Sequence, residues 1–252
     1  IYARAAQKEK GDKTAKGMIE FMMKKIEKRE GREYELWQKT RQWSIAHFAA
    51  IYQELGVEFE RNFYESEFID EGRRMVNDLL KQGILQESEG AVIADLEQYG
   101  LGVLVFVRSD GTATYPVADL PLAKAKIEEY RLDTSVYVVD IRQALYFKQL
   151  FKIIELMGYQ CGLYHLGYEF VKLPSGMMSS RSGNIISYEE LKSAVLEKAQ
   201  AETAKRHPDW PADREGQVAP SITFGAIKFE MAKVGAQQTI TLDIDKALQF
   251  EG

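Results

Sequence analysis

The feature that most restricts the fold of this chain is a pair of apolar strand-like runs, 135–139 and 163–171, separated by one strongly amphipathic helical stretch at 144–158. Two antiparallel strands need only a tight turn, whereas a helix-length connection returns the chain to a parallel neighbour. An earlier apolar run at 101–108, a turn at Ser109, Asp110 and Gly111 leading into 112–115, and a helical stretch at 120–130 extend the series to strand, helix, strand, helix, strand. That order predicts an α/β fold built of parallel βαβ units whose strands are buried on both faces. Ligands in open α/β sheets bind just past the carboxyl ends of the strands, so the residues that follow each run become the candidates for chemistry.

The stretches outside this series are mainly helical. Met18, Phe21, Met22 and Ile26, then Leu36, Trp37, Trp43, Ile45, Phe48 and Tyr52, recur at helical spacings over 11–56, with a break near Gly31 and a glycine stop at Gly56. A short strand is expected at 57–63, a helix at 71–82 ending at Gly83, and a hairpin over 84–97 turning at Glu89 and Gly90. Helices are expected at 188–206 and 221–233, joined through Pro208 to Pro211. Apolar residues make up 45% of the 252, enough for a large core, and a net charge of −5 argues against a surface that coats nucleic acid indiscriminately. Any nucleic-acid partner must therefore meet a local patch. The single Cys161 lies in a strand-like run and reads as a small core residue suited to a reducing cytoplasm, and no apolar run reaches membrane-spanning length.

Four groups of residues could carry chemistry. The first is the polar loop from Met178 through Ser179, Ser180 and Arg181 to Gly183, which offers hydroxyls, backbone N–H groups and a permanent cation to a polyphosphate, although Ser/Gly clusters also make ordinary turns. The second is Tyr115 with Asp119, a phenol and a carboxylate suited to a cationic substrate, the alternative being that Asp119 caps a helix starting at Leu120. The third is Gln143, whose amide both donates and accepts as an α-amino acid requires, or else is a polar first-turn residue. Glu65 and His165 complete the set: a lone Glu is by default solvated, and a lone His on a strand is more often a satisfied core group than a ligand for a base or a phosphate.

Taken in order, Glu65 and Ser66, Ser88 to Ala91, Ser109 to Thr112, Tyr115 and Asp119, Tyr137 to Gln143, Phe147 to Gln149, and Met177 to Arg181 resemble arginyl-tRNA synthetases, a class I family, from about Trp37 to the end of the chain. The resemblance implies a Rossmann-like catalytic domain, divided here into a helical connecting segment (1–100), the second half of the nucleotide-binding domain (101–206) and a helical junction (207–252). It implies that arginine's carboxylate attacks the α-phosphate of ATP, with Mg2+ accompanying the nucleotide, and that the arginyl-adenylate then esterifies the terminal ribose of tRNA(Arg), which the family normally needs for the first step. Glu65, Tyr115 and Asp119 would then hold the guanidinium and Gln143 the α-amino end. His165, Phe170 and Val171 would lie at the adenine, and Met178, Ser179, Ser180 and Arg181 would close on the triphosphate.

Two departures bear on that expectation. Met177 stands where the loop signature usually begins with Lys, and Ser180 replaces its second Lys, so Arg181 is the cation of the loop. The histidines, His47, His165 and His207, form no His-Ile-Gly-His-type pair. The expectation is therefore a cytoplasmic arginine–tRNA ligase fragment, inactive by itself, that self-associates or binds a missing amino-terminal half. The alternative is a non-catalytic arginine-binding or regulatory relative.

Overall fold

The computed structural model describes residues 5, 12–173, 176–177 and 185–242. In chain order these form helices α1 (Lys13–Glu27), α2 (Gly31–Leu55) and α3 (Glu65–Lys81), then strands β1 (Gln86–Ser88), β2 (Ala91–Asp95) and β3 (Val103–Val107). Helix α4 (Pro116–Tyr130), strand β4 (Thr134–Asp140), helix α5 (Ala144–Leu156) and strand β5 (Gly162–Tyr168) follow. The last elements are β6 (Val171–Leu173), β7 (Gly176–Met177), α6 (Tyr188–Arg206), α7 (Ala212–Ala232) and β8 (Ile240–Thr241). Contacts gather the described residues into two compact units, one holding 60–170 with 236–238 and the other the remainder.

In the first of these units β4 and β5 pair in parallel from Thr134 opposite Gly162 to Asp140 opposite Tyr168, with α5 as their crossover, as the sequence pattern requires. Strand β3 does not join them. It pairs antiparallel with β2, which pairs antiparallel with β1, so the run at 101–108 belongs to a separate meander. The β1–β2 turn is a two-residue loop in which Glu89 and Gly90 both have positive φ (50° and 78°), the geometry whose twist matches the flanking strands. The core that fixes this unit contains Leu79, Leu85, Leu96, Phe106, Val117, Leu120, Leu150, Ile153 and Ile154. Gln149, buried in that core, donates to the carbonyls of Leu101 (2.7 Å) and Val103 (3.3 Å) and so ties α5 to the start of β3.

The strands are not buried on both faces. Tyr137, Val139 and Leu163 pack inward, but Val136, Val138, Tyr164, Leu166 and Tyr168 point out and are exposed. Continuous apolar composition alone could not distinguish a strand covered twice from one covered once. Residues 57–63 also form no strand. Their alternation serves two separate dockings, Phe59 edge-on to Tyr52 at 4.9 Å and Phe63 against Phe68 and Tyr130 at 6.0 and 6.4 Å. Arg61 anchors the stretch with two hydrogen bonds to Glu129.

In the other unit α2 ends where expected, with Gly56 in the left-handed conformation (φ 59°, ψ 42°). Its last turn meets α6: Glu54 accepts from the Tyr188 hydroxyl and from Lys192 Nζ, both at 2.8 Å, and the Lys192 bond holds the Glu54 carboxyl below its usual range. Helix α7 starts nine residues before the expected 221 and continues through Pro220, which from sequence alone reads as a stop. Leu191, Val195, Ile227 and Leu242 form the core here. Strand β6 pairs antiparallel with β7 and parallel with β8, so Met177 sits in a strand opposite Lys172. Met178, Ser179, Ser180 and Arg181 lie outside the described residues.

Candidate functional site

Three helix starts in the 60–170 unit carry the side chains expected to bind an amino acid. Glu65 is the first residue of α3 and is exposed. Helix α4 begins at Pro116 and not at 120, because Pro is preorganised for a first helical position, so Asp119 lies within the first turn and Tyr115 takes the cap position. Asp119 is therefore not the cap. Its carboxylate instead accepts a hydrogen bond from the hydroxyl of Tyr146, a residue of the first turn of α5. Gln143 occupies the cap position of that same helix. The macrodipole at each start favours an ionised carboxylate, which is the form that a guanidinium needs.

What positions α4 against α3 is a glycine. A Cβ at the buried Gly72 would stand 1.6 Å from the backbone oxygen of Val117, so only glycine permits α3 to pass this close to the first turn of α4. Tyr146 then links α4 to α5. Burial, followed by the Asp119 charge and hydrogen bond, pushes ionisation of the Tyr146 hydroxyl far above the ordinary phenol value, with Tyr137 and Glu65 adding to it last. Tyr146 is thus a permanent donor. Burial raises the Asp119 carboxyl from its usual value, while the Tyr146 bond and the Lys126 charge on the same helix pull it back. Lys126 is itself lowered by burial and lies over the ring of Tyr137 at 4.1 Å.

Beyond β4, Asp140 organises the approach to Gln143. Its Oδ1 accepts from the Arg142 backbone N–H (3.0 Å) and Nε (3.1 Å), and its Oδ2 accepts from Gln143 Nε2 (3.3 Å). The Arg142 bond is the main reason that the Asp140 carboxyl is held below its usual range. With the Gln143 amide nitrogen so engaged, the other end of the amide, its carbonyl oxygen, is the acceptor that an α-ammonium requires. Arg142 also covers the ring of Phe170 at 3.9 Å. His165 has core contacts of its own: Nε2 donates to the Val139 carbonyl at 3.1 Å and the ring stacks on Phe147 at 4.9 Å. Val171 lies in the other unit, paired with Ile240. Tyr115, one helical turn before Asp119, is 75% exposed.

Sequence reasoning missed Tyr146. A Tyr in the first turn of an apolar helix reads as core, and only its distance in sequence from Asp119, bridged by the βαβ packing, makes it a partner. Among the described residues no cluster of His, Cys, Asp or Glu has the makings of a metal site.

A profile described as tRNA synthetases class I (R), catalytic domain, matches residues 1–238. The chain belongs to this family. It is 36% identical over 234 residues to a protein of Bdellovibrio bacteriovorus named arginine–tRNA ligase, spanning 92% of this chain and 40% of that one. It is 30% identical over 254 residues to the protein of the same name from Clostridium acetobutylicum, spanning 100% of this chain and 45% of that one. The fold is similar to that of arginyl-tRNA synthetase from Plasmodium falciparum (TM-score 0.78, 20% identity, 95% of this chain and 41% of that one). It is also similar to that of the Thermus thermophilus enzyme (TM-score 0.67, 21% identity, 100% of this chain and 52% of that one). The chain thus spans less than half the length of the sequence relatives that it matches.

Proposed function

We propose that this chain supplies the arginine-recognising half of an arginine–tRNA ligase. The observation that carries the reading is the hydrogen bond from Tyr146 to the Asp119 carboxylate, which joins the first turns of α4 and α5 in a chain that belongs to the class I synthetase family. A guanidinium is a planar fork of donors, and fixed carboxylates complement it better than any neutral group does. Glu65 and Asp119 bind that end, Tyr115 flanks it, and Gln143 accepts from the α-ammonium. The free carboxylate of the bound arginine is then the nucleophile: its oxygen forms a bond to the α-phosphorus of ATP as the bond to pyrophosphate breaks. Transfer follows when a ribose hydroxyl of tRNA(Arg) attacks the arginyl carbonyl and AMP leaves.

In this reading His165, Phe170 and Val171 serve the adenine side, Mg2+ arrives with the nucleotide, and Met178, Ser179, Ser180 and Arg181 act on the phosphates in the cytoplasm. The segments 1–100, 101–206 and 207–252 serve as connecting insertion, nucleotide-binding half and junction. Met177 in β7, where the family signature has Lys, favours a second reading in which arginine is bound but not activated. Arg181→Ala in the whole protein separates the two. Under the leading reading it lowers the rate of adenylate formation far more than it raises the KM for ATP, because a donor that matters in the transition state is lost. Arginine binding with no measurable adenylate formation, in the unsubstituted whole protein as in Arg181→Ala, would favour the second.

A further inference from the structure

We propose that Tyr146 is a positioning residue for arginine: by donating to Oδ2 of Asp119 it fixes the plane of that carboxylate, and so the direction from which its remaining lone pairs meet a guanidinium. The inference rests on the pocket reading above and adds to it a residue outside the expected set. The terminal torsion of an aspartate is broad and does not define a carboxylate plane by itself. Asp119 is within a helix first turn, so its backbone is fixed while its oxygens are not. Tyr146 supplies the missing constraint. Its ring is held edge-on to Phe147 (5.3 Å, 68°), and Phe147 is in turn packed on Tyr137, Phe151 and His165, so the hydroxyl is delivered from a rigid aromatic cluster. With Oδ2 held by the Tyr146 hydroxyl, the remaining lone pairs of both carboxylate oxygens lie in one plane of fixed direction, which is what a planar donor such as a guanidinium selects.

The charged and titratable groups facing Asp119 are Lys126 on its own helix, Tyr146 on α5 and Tyr137 on β4, with Glu65 of α3 acting on the Tyr146 hydroxyl. Burial already raises the Asp119 carboxyl, and the Tyr146 bond opposes the rise. Removing the donor lets it rise further. Arginine binding requires the carboxylate, so binding is lost as pH falls through the folded pKa, and without Tyr146 that loss occurs at higher pH.

The test is calorimetric titration of arginine into the 252-residue chain and its Tyr146→Phe, Asp119→Asn and double variants, across acidic to neutral pH, with thermal midpoints measured alongside. Tyr146→Phe is expected to weaken arginine binding roughly tenfold, the usual effect of losing a hydrogen bond to a charged group. It is expected to move the acid loss of binding to higher pH and to have no further effect once Asp119→Asn is present. A Tyr146→Phe chain with lower thermal stability but unchanged affinity and unchanged pH midpoint would make the contact merely structural and overturn the proposal. Arginine binding that is absent, or indifferent to Asp119→Asn, would remove the pocket reading and this inference with it. Should Tyr146→Phe not fold, 3-fluorotyrosine at position 146 keeps the shape and strengthens the donor. The acid midpoint must then move to lower pH, and an unmoved midpoint overturns the proposal.

Discussion

In the proposed reading, Asp119 is the residue on which arginine recognition turns. A carboxylate raised by burial is unfavourable for stability and useful for binding, because a desolvated charge gains most from an incoming cation. Asp119→Asn keeps the shape and the Tyr146 partner but removes the charge, so arginine affinity should fall by about 1.5–3 kcal/mol, read by titration calorimetry. Unchanged affinity would detach Asp119 from the site. Tyr115, Asp119 and Gln143 were each legible in the sequence as residue types placed after strand-like runs, whereas Glu65 carried no signal without a partner and entered only through the family resemblance. What linked them was legible only through family resemblance, because spacing along the chain does not show which helix starts adjoin. Tyr146 had no signal of its own, since a phenol in an apolar helix matches a core pattern as well as a polar one.

At the scale of elements, the close passage of α3 over α4 fixes how the first turn of α4, which carries Asp119, is held. Gly72→Ala forces a methyl group into the Val117 carbonyl, and backbone must move to accept it. The expected cost is about 3 kcal/mol or more, the upper end of overpacking, measured by denaturant unfolding, with arginine binding weakened in parallel. A neutral result would mean that the two helices separate freely and do not fix the site. At the start of α6, Ser187 and Glu190 form a capping box, each side chain accepting from the other's backbone N–H at 3.2 and 2.8 Å. Ser187→Ala should cost about 1 kcal/mol of stability. The Ser187 backbone bond lowers the Glu190 carboxyl from its ordinary value of 4.5, so its contribution is present above that value and is lost as pH falls through the lower folded one. Amide-exchange protection factors in the first turn of α6, with the intrinsic pH dependence of exchange divided out, should therefore fall on acidification, and more weakly so in Glu190→Gln. The sequence showed this helix to its ends, between the polar loop and the Pro208–Pro211 connector, and the parallel β4–α5–β5 unit because its crossover length admits nothing else. It did not show the start of α3, α4 or α7, where an acidic lead or a proline obscured the first turn, nor that β3 pairs antiparallel, which depends on β2 reaching it first.

For the whole molecule, the exposed apolar face of β4 and β5 is the feature with a direct consequence in solution. Val136, Val138, Tyr164, Leu166 and Tyr168 form a patch larger than scattered surface apolars would produce, and a patch of this kind promotes association between copies. Light scattering of the 252-residue chain should show mass rising with concentration, and Val138→Lys with Leu166→Lys should return it to the monomer without changing arginine affinity. Among the described residues no helix is long and apolar enough to cross a membrane. The central claim is that this chain recognises arginine by charge at Asp119 and Glu65, and comparison of arginine with citrulline tests it most directly. Citrulline has the same length and shape but a neutral urea in place of the guanidinium. Titrated by calorimetry into this chain, arginine should bind and citrulline should be weaker by at least tenfold, with the gap narrowing in Asp119→Asn. Equal binding of the two, or a gap that Asp119→Asn leaves intact, would contradict the account.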